Sequence, residues 1–202
     1  MADEPAEKWI PSACAALSGP RHKVSEGAGS VPDGPGLYAI YGGPETWLQL
    51  GLGTATASAA LYVGKAEESL ATDRELQFLS ARTGQSTVRR TFAALLRDAL
   101  ALRGIPRNQT KPEPAKMASY ALSDEDDPRL TDWLTTHLEI AVWEKPEECT
   151  ALGAVEVAVL RRWSPPLNLS DPRSTAGARV SAARKAMAND ARAWARERGH
   201  RF

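Results

Sequence analysis

Cysteine is nearly absent from this chain: Cys14 and Cys149 are the only two in 202 residues, far apart and without metal-type spacing. Such sparse usage argues against a disulfide framework and suits two ordinary thiols in a reducing cytoplasm. Histidine is almost as rare, and the scatter of His22, His137 and His200 suggests no zinc site. Aromatic residues make up 6% of the chain, and no apolar run approaches the length of a membrane span. The opening MADEPAEKWI lacks the basic-then-apolar order of a secretory signal. Net charge is missing too, since 25 Lys and Arg balance 25 Asp and Glu. The expectation is a cytoplasmic protein with no membrane association, either one domain with a full core or one domain with tails.

The zero charge hides an asymmetry. Residues 173 to 202 hold eight Lys and Arg against Asp190 and Glu197, a charge of +6, which leaves −6 on the other 172 residues. A basic tail on an acidic body suits a polyanionic partner. It equally suits a solvated helix with Arg-rich faces.

Along the chain, a short apolar-spaced piece (Trp9, Ile10, Ala13, Leu17) precedes a Gly/Pro/Ser-rich loop. Two runs with strand character follow, Leu37 to Tyr41 and Leu61 to Gly64. The segment between them is Gly/Thr/Ala-rich and non-periodic, so it reads as an ornamented hairpin loop. From Ser86, a natural N-cap, apolar residues recur at helical spacing until Gly104 closes the run. MASYAL (117 to 122) reads as a strand, and DEDDPRLTDWLTTH as a helix with acids in its first turn. LEIAVW (138 to 143) alternates as a strand, 149 to 163 forms a helix stopped by Pro165 and Pro166, and an Ala/Arg-rich helix covers about 179 to 198. The fold class expected is α/β of the α+β type, a small central antiparallel sheet flanked by helices, with a basic helical extension. Rossmann and P-loop signatures are absent.

Two features suggest chemistry. Leu152, Val155, Val159, Leu160 and Trp163 make an apolar stripe on the 149 to 163 helix, and Glu156 falls inside it. A carboxylate there needs a cation, a metal or a set of donors; otherwise it reaches solvent at the stripe's edge. In the paired strands, Tyr38 and Tyr62 can share one face beside Gly64, whose missing side chain marks a close approach by substrate or a packed helix.

GPGLYAIY and LYVGKA resemble the two halves of the GIY-YIG nuclease signature, the second most like excision-repair endonucleases. The same family includes homing and some restriction endonucleases. Arg74 stands where the family places an arginine at the start of the next helix. Glu156 heads EVAVLRRWSPPLN, which is similar to the family's glutamate helix ending in a Pro-containing turn and an asparagine, here Asn168. The resemblance spans roughly 34 to 170, which would make 1–33 an N-terminal extension, 34–170 the nuclease-like domain and 171–202 a basic tail. Departures are Leu37 for the usual isoleucine, a long linker between the motifs, and Phe78 and Leu79 where many members carry His or Tyr.

The resemblance implies a DNA endonuclease that hydrolyses phosphodiester bonds with one divalent cation, Mg²⁺ or Mn²⁺, held by Glu156. A single carboxylate suits such an ion, which keeps several waters. It implies Tyr38 as general base with Tyr62 orienting it or the water, and Arg74 as a planar fork on the phosphate. Lys65, Arg74 and the metal would lower the phenol from its ordinary pKa of about 10. Asn168 would tie the helix end to the active face, and Gly64 would permit close packing. Arg82, Arg89 and Arg90 would extend the phosphate surface, unless they are only solvated residues at a helix start. The competing readings are a non-catalytic nucleic-acid-binding module that keeps the fold and a cytosolic interaction protein.

Overall fold

A computed structural model describes residues 6–26, 29–54, 59–168 and 174–200. The boundary expected near 170 and two of the tail's basic residues, Arg173 and Arg201, lie outside the described residues.

The centre is a four-stranded antiparallel sheet of β1 (His22–Lys23), β2 (Gly36–Gly42), β3 (Tyr62–Ala66) and β4 (Leu138–Glu144), in the order β1-β4-β2-β3. β2 is buried from Gly36 to Tyr41, which explains a run apolar on both faces, and β3 is a sheet edge. On one face, Leu37, Ala39, Tyr41 and Val63 pack against Ala13 and Leu17 of α1 (Ile10–Leu17) and Leu152, Val155 and Val159 of α6 (Leu152–Trp163). On the other face, Tyr38, Ile40 and Ile140 meet α3 (Leu70–Arg74), α4 (Thr87–Leu95), α5 (Asp126–His137) and α7 (Thr175–Glu197) through Leu70, Phe92, Leu134 and Val180. Two layers of helix thus sandwich the sheet, the α+β architecture expected.

Three local readings are corrected. The linker between β2 and β3 contains α2 (Pro44–Leu50), a short helix begun by Pro44 and ended by Gly51 at φ 64°. It escapes a periodicity test because seven residues give too few turns, and it is fixed by tertiary contacts such as Trp133 Nε1 to Gln49 Oε1 at 2.7 Å. MASYAL is not a strand: Pro114–Ser119 is a 3₁₀ helix, and only Ala121 pairs, in a bridge with Ile105. The helix from Ser86 ends at Leu95, not at Gly104. Gly104 has another duty, because a Cβ there would lie 2.3 Å from the carbonyl oxygen of Met187, where α7 crosses.

α7 packs on the body rather than projecting. Val180, Met187, Ala191, Trp194 and Ala195 are buried. Its two acids face body arginines: Asp190 takes Arg97 at 2.7 Å and Glu197 takes Arg103 at 2.6 Å. The tail's positive excess is therefore left to its other faces. No helix among the described residues is long and apolar enough to cross a membrane.

Candidate active site

The site forms at the β3 edge. The β2–β3 register places Tyr38 opposite Gly64 and Ile40 opposite Tyr62, so the two tyrosines sit diagonally on one face with ring centroids 6.1 Å apart. The close approach that Gly64 permits is that of Tyr38: a Cβ there would lie 2.3 Å from the Tyr38 Cζ. Phe78 stands edge-on to the same ring at 6.0 Å, so Tyr38 is clamped between a glycine floor and an aromatic wall. Where many family members carry a polar group, this chain has a fully buried phenyl.

The polar contact comes instead from a residue that the motif comparison missed. Asp73, one position before Arg74, lies in hydrogen-bonding and Coulombic contact with the Tyr38 hydroxyl, as does Tyr62. Gln77 Nε2 donates to Asp73 Oδ1 at 3.4 Å, and Gln77 Oε1 accepts from Ser86 Oγ, the N-cap of α4. A polar line thus runs from α4 through Gln77 and Asp73 to Tyr38 and Tyr62. Its one legible signal is a carboxylate next to the arginine of the motif.

Electrostatically the tyrosines differ from expectation. Burial, reinforced by Tyr62 and Asp73, drives the Tyr38 hydroxyl well above the ordinary phenol range. Burial and the nearby Glu156 and Asp73 carboxylates push Tyr62 up to about 12, opposed by its bond with Tyr38. The field expected to acidify a phenol does not surround them in the chain itself. Tyr62 is half-buried and Tyr38 is 3% exposed, so Tyr62 is the one open to a substrate.

Glu156 sits on the flank of its stripe rather than within it; Leu152, Val155 and Val159 are the buried positions of α6. Its side chain is 22% exposed and 3.7 Å from Lys65 Nζ, which binds Glu67 more closely at 2.6 Å. Burial first, and then repulsion from Glu67, raise the Glu156 carboxyl, with Lys65 opposing. Asn168 joins α6 to the sheet: its Oδ1 accepts from the Val63 N–H at 2.8 Å and its Nδ2 donates to the Val63 carbonyl at 2.7 Å. Leu167 N–H donates to the Leu61 carbonyl at 3.0 Å, so this turn covers the free edge of β3 and holds Glu156 against it.

The arginines separate. Arg74 is buried, and its guanidinium donates to the Glu26 carbonyl and to Ser30 Oγ, turned into the loop before β2; its Nε is buried without a partner among the described residues. Arg89, expected on the phosphate surface, is 0% exposed and locked by Asp127 at 2.7 Å, Thr83, Thr131 and the Phe78 carbonyl. It cannot reach a phosphate and is a structural residue, because α5 supplies its counter-charge inside the core. Arg82 is exposed and Arg90 half-buried.

The GIY-YIG catalytic domain profile matches residues 36–186, about three-quarters of the chain. The chain belongs to the GIY-YIG catalytic domain family, and the domain it carries is of nuclease type, acting on nucleic acid. No curated protein and no solved structure matches the chain.

Members of the family use divalent metal ions. Among the described residues no three His, Cys, Asp or Glu converge as a metal cluster. Glu156 fits the one-carboxylate, water-rich coordination of Mg²⁺: it is accessible, loosely paired and within electrostatic reach of Tyr62.

Proposed function

We propose that this protein is a metal-dependent DNA endonuclease that hydrolyses phosphodiester bonds at the β3 edge. The observation that carries this reading is that Tyr38 and Tyr62, with ring centroids 6.1 Å apart, lie at the same sheet edge where Glu156 of α6 comes within Coulombic reach of Tyr62 and Asn168 bonds to β3.

Tyr62, half-buried within Coulombic reach of Glu156, orients the attacking water and takes its proton as its own hydroxyl proton passes to Tyr38 and that of Tyr38 to the Asp73 carboxylate. Tyr38, bonded to Tyr62 and Asp73, fixes the direction of the Tyr62 hydroxyl, and Asp73 receives the hydrogen bond at the inner end of the line. This shifts the base role from Tyr38, sealed at 3% exposure, to its more open neighbour. Glu156 would hold the cation, and Lys65 balances Glu156 and Glu67. A bound Mg²⁺ or Mn²⁺ supplies charge to the phosphate and lowers the pKa of the attacking water. Arg74 grips a non-bridging oxygen after exchanging the Glu26 and Ser30 oxygens for it, with its unpartnered Nε as a further donor.

One feature favours the second reading, a nucleic-acid-binding module without catalysis: Arg74 is already engaged by the loop before β2. Supercoiled plasmid incubated with Mg²⁺, with Mn²⁺ and with EDTA separates the two. Nicking in either metal, abolished by EDTA and slowed at least tenfold by Tyr62→Phe, is expected for the enzyme. Binding without nicking in both metals is the result that would establish the module instead.

A further inference from the structure

The arginines along the α4–α7 junction fall into two groups. Arg97 and Arg103 are matched by Asp190 and Glu197. Arg90, Arg107 and Arg184 are not: among the described residues none of them is within ion-pair distance of a carboxylate. Arg90 donates to the Gly84 carbonyl at 3.0 Å and to Thr87 Oγ1 at 2.9 Å, and its Nε is buried without a partner among the described residues. Arg107 lies against the same Gly84, its Cγ 3.5 Å from where a Cβ would stand. Arg184 reaches Thr91 Oγ1, one turn along α4, at 3.5 Å. Burial and the like charges of Arg184 and Arg107 together depress the Arg90 pKa, opposed by Tyr120.

Beside Arg184, α7 and the 3₁₀ helix Pro114–Ser119 enclose a shallow cleft of about 400 Å³ lined by Ala118, Ser181, Arg184, Lys185 and Arg192, with no acidic residue. Guanidiniums gathered without a counter-charge repel one another, and an arriving anion relieves that repulsion. Planar forks offer several donors to phosphate oxygens.

We propose that Arg90, Arg107 and Arg184, continued by Lys185 and Arg192 along the α7 cleft, form a second contact site for the phosphate backbone of the nucleic-acid substrate. The site rests on the nuclease reading and lies outside the cleavage centre. It belongs to the same face of the sheet as the tyrosines: α4, which carries Arg90, begins at Ser86, the outer end of the polar line through Gln77 and Asp73 to Tyr38. It also gives the basic α7 a specific place, since only the residues facing this junction and cleft bind, while Arg89 one position away holds the core together.

The test is fluorescence anisotropy of the full chain with a labelled DNA duplex and a labelled single strand, in EDTA so that cleavage plays no part, across a range of salt concentrations. The double variant Arg107→Gln, Arg184→Gln is expected to weaken binding about tenfold or more near 0.1 M salt and to reduce the salt slope by about 2. Lysines at both positions should restore most of the slope. Arg161→Gln, Arg162→Gln, which removes equal charge from exposed positions of α6 on the opposite layer, should have a clearly smaller effect. Equal losses from both pairs would mean that net charge alone matters and would overturn the site. Unchanged DNA binding by the Arg107, Arg184 variant would also overturn it and leave the cluster to an acidic protein. Failure of the wild type to bind either DNA at low salt would instead sink the nuclease reading itself.

Discussion

Two ion pairs of similar composition sit on opposite faces of the sheet and behave as opposites. Arg89–Asp127 is closed: its members are 0% and 8% exposed, 2.7 Å apart, and surrounded by Thr83, Thr131 and backbone acceptors. Lys65–Glu156 is open: its members are 26% and 22% exposed, 3.7 Å apart, and the lysine is shared with Glu67. A desolvated pair with every donor matched holds helices together but has nothing left for a ligand. A loose, half-exposed pair contributes little to stability and leaves a carboxylate available. Each pair sets one basic side chain against one acidic one; completeness of the surrounding hydrogen bonds decides which is scaffold and which is site.

Substitutions can break this contrast. Arg89→Ala leaves Asp127 buried and unpaired, and is expected to cost about 3–5 kcal/mol in a denaturant titration. A loss below about 1 kcal/mol would mean that the pair is not structural. Gly64→Ala drives a methyl into a buried tyrosine ring that Phe78 prevents from retreating. An overpacking loss of about 1–3 kcal/mol is expected, together with reduced cleavage, because Tyr38 loses its position beside Tyr62. Tyr38→Phe keeps the packing and removes only the hydroxyl: DNA affinity in EDTA should hold while single-turnover cleavage falls roughly tenfold to a hundredfold. Equal cleavage rates would remove Tyr38 and Asp73 from the mechanism.

The architecture was largely legible. Ser86 caps α4, accepting from the Arg89 N–H, and the alternation of LEIAVW gives β4. The tyrosine face follows from strand periodicity alone. What could not be read depends on contacts distant in sequence. Arg89 and Arg90 are indistinguishable neighbours in the sequence, and only α5, 38 residues on, buries the first. Asp73 reads as a solvated helix acid until the sheet brings the Tyr38 hydroxyl to it. Arg74 reads in the sequence as a fork for phosphate, yet the guanidinium turns toward a loop whose path no local pattern reveals.

The smallest effect sharpens the contrast most. The Glu156 carboxyl is raised in the folded state, so its ionisation opposes folding: that stability is full below the unfolded pKa and is lost as pH rises through the folded value. Glu156→Gln should therefore melt slightly higher than wild type at pH 7 and lose that advantage by about pH 4, near the ordinary glutamate pKa. The closed pair predicts the reverse, with Asp127→Asn destabilising at pH 7. A Glu156→Gln variant less stable than wild type at neutral pH would show that the carboxylate is there for the fold.

Single-turnover DNA cleavage by Glu156→Gln, with melting followed on the same sample, decides whether this carboxylate serves the chemistry or the fold. Cleavage in Mg²⁺ or Mn²⁺ is expected to fall by about 10³-fold or more, a loss of at least about 4 kcal/mol in transition-state stabilisation, with unfolding unchanged or slightly delayed. Wild-type cleavage rates in a folded Glu156→Gln protein would contradict it.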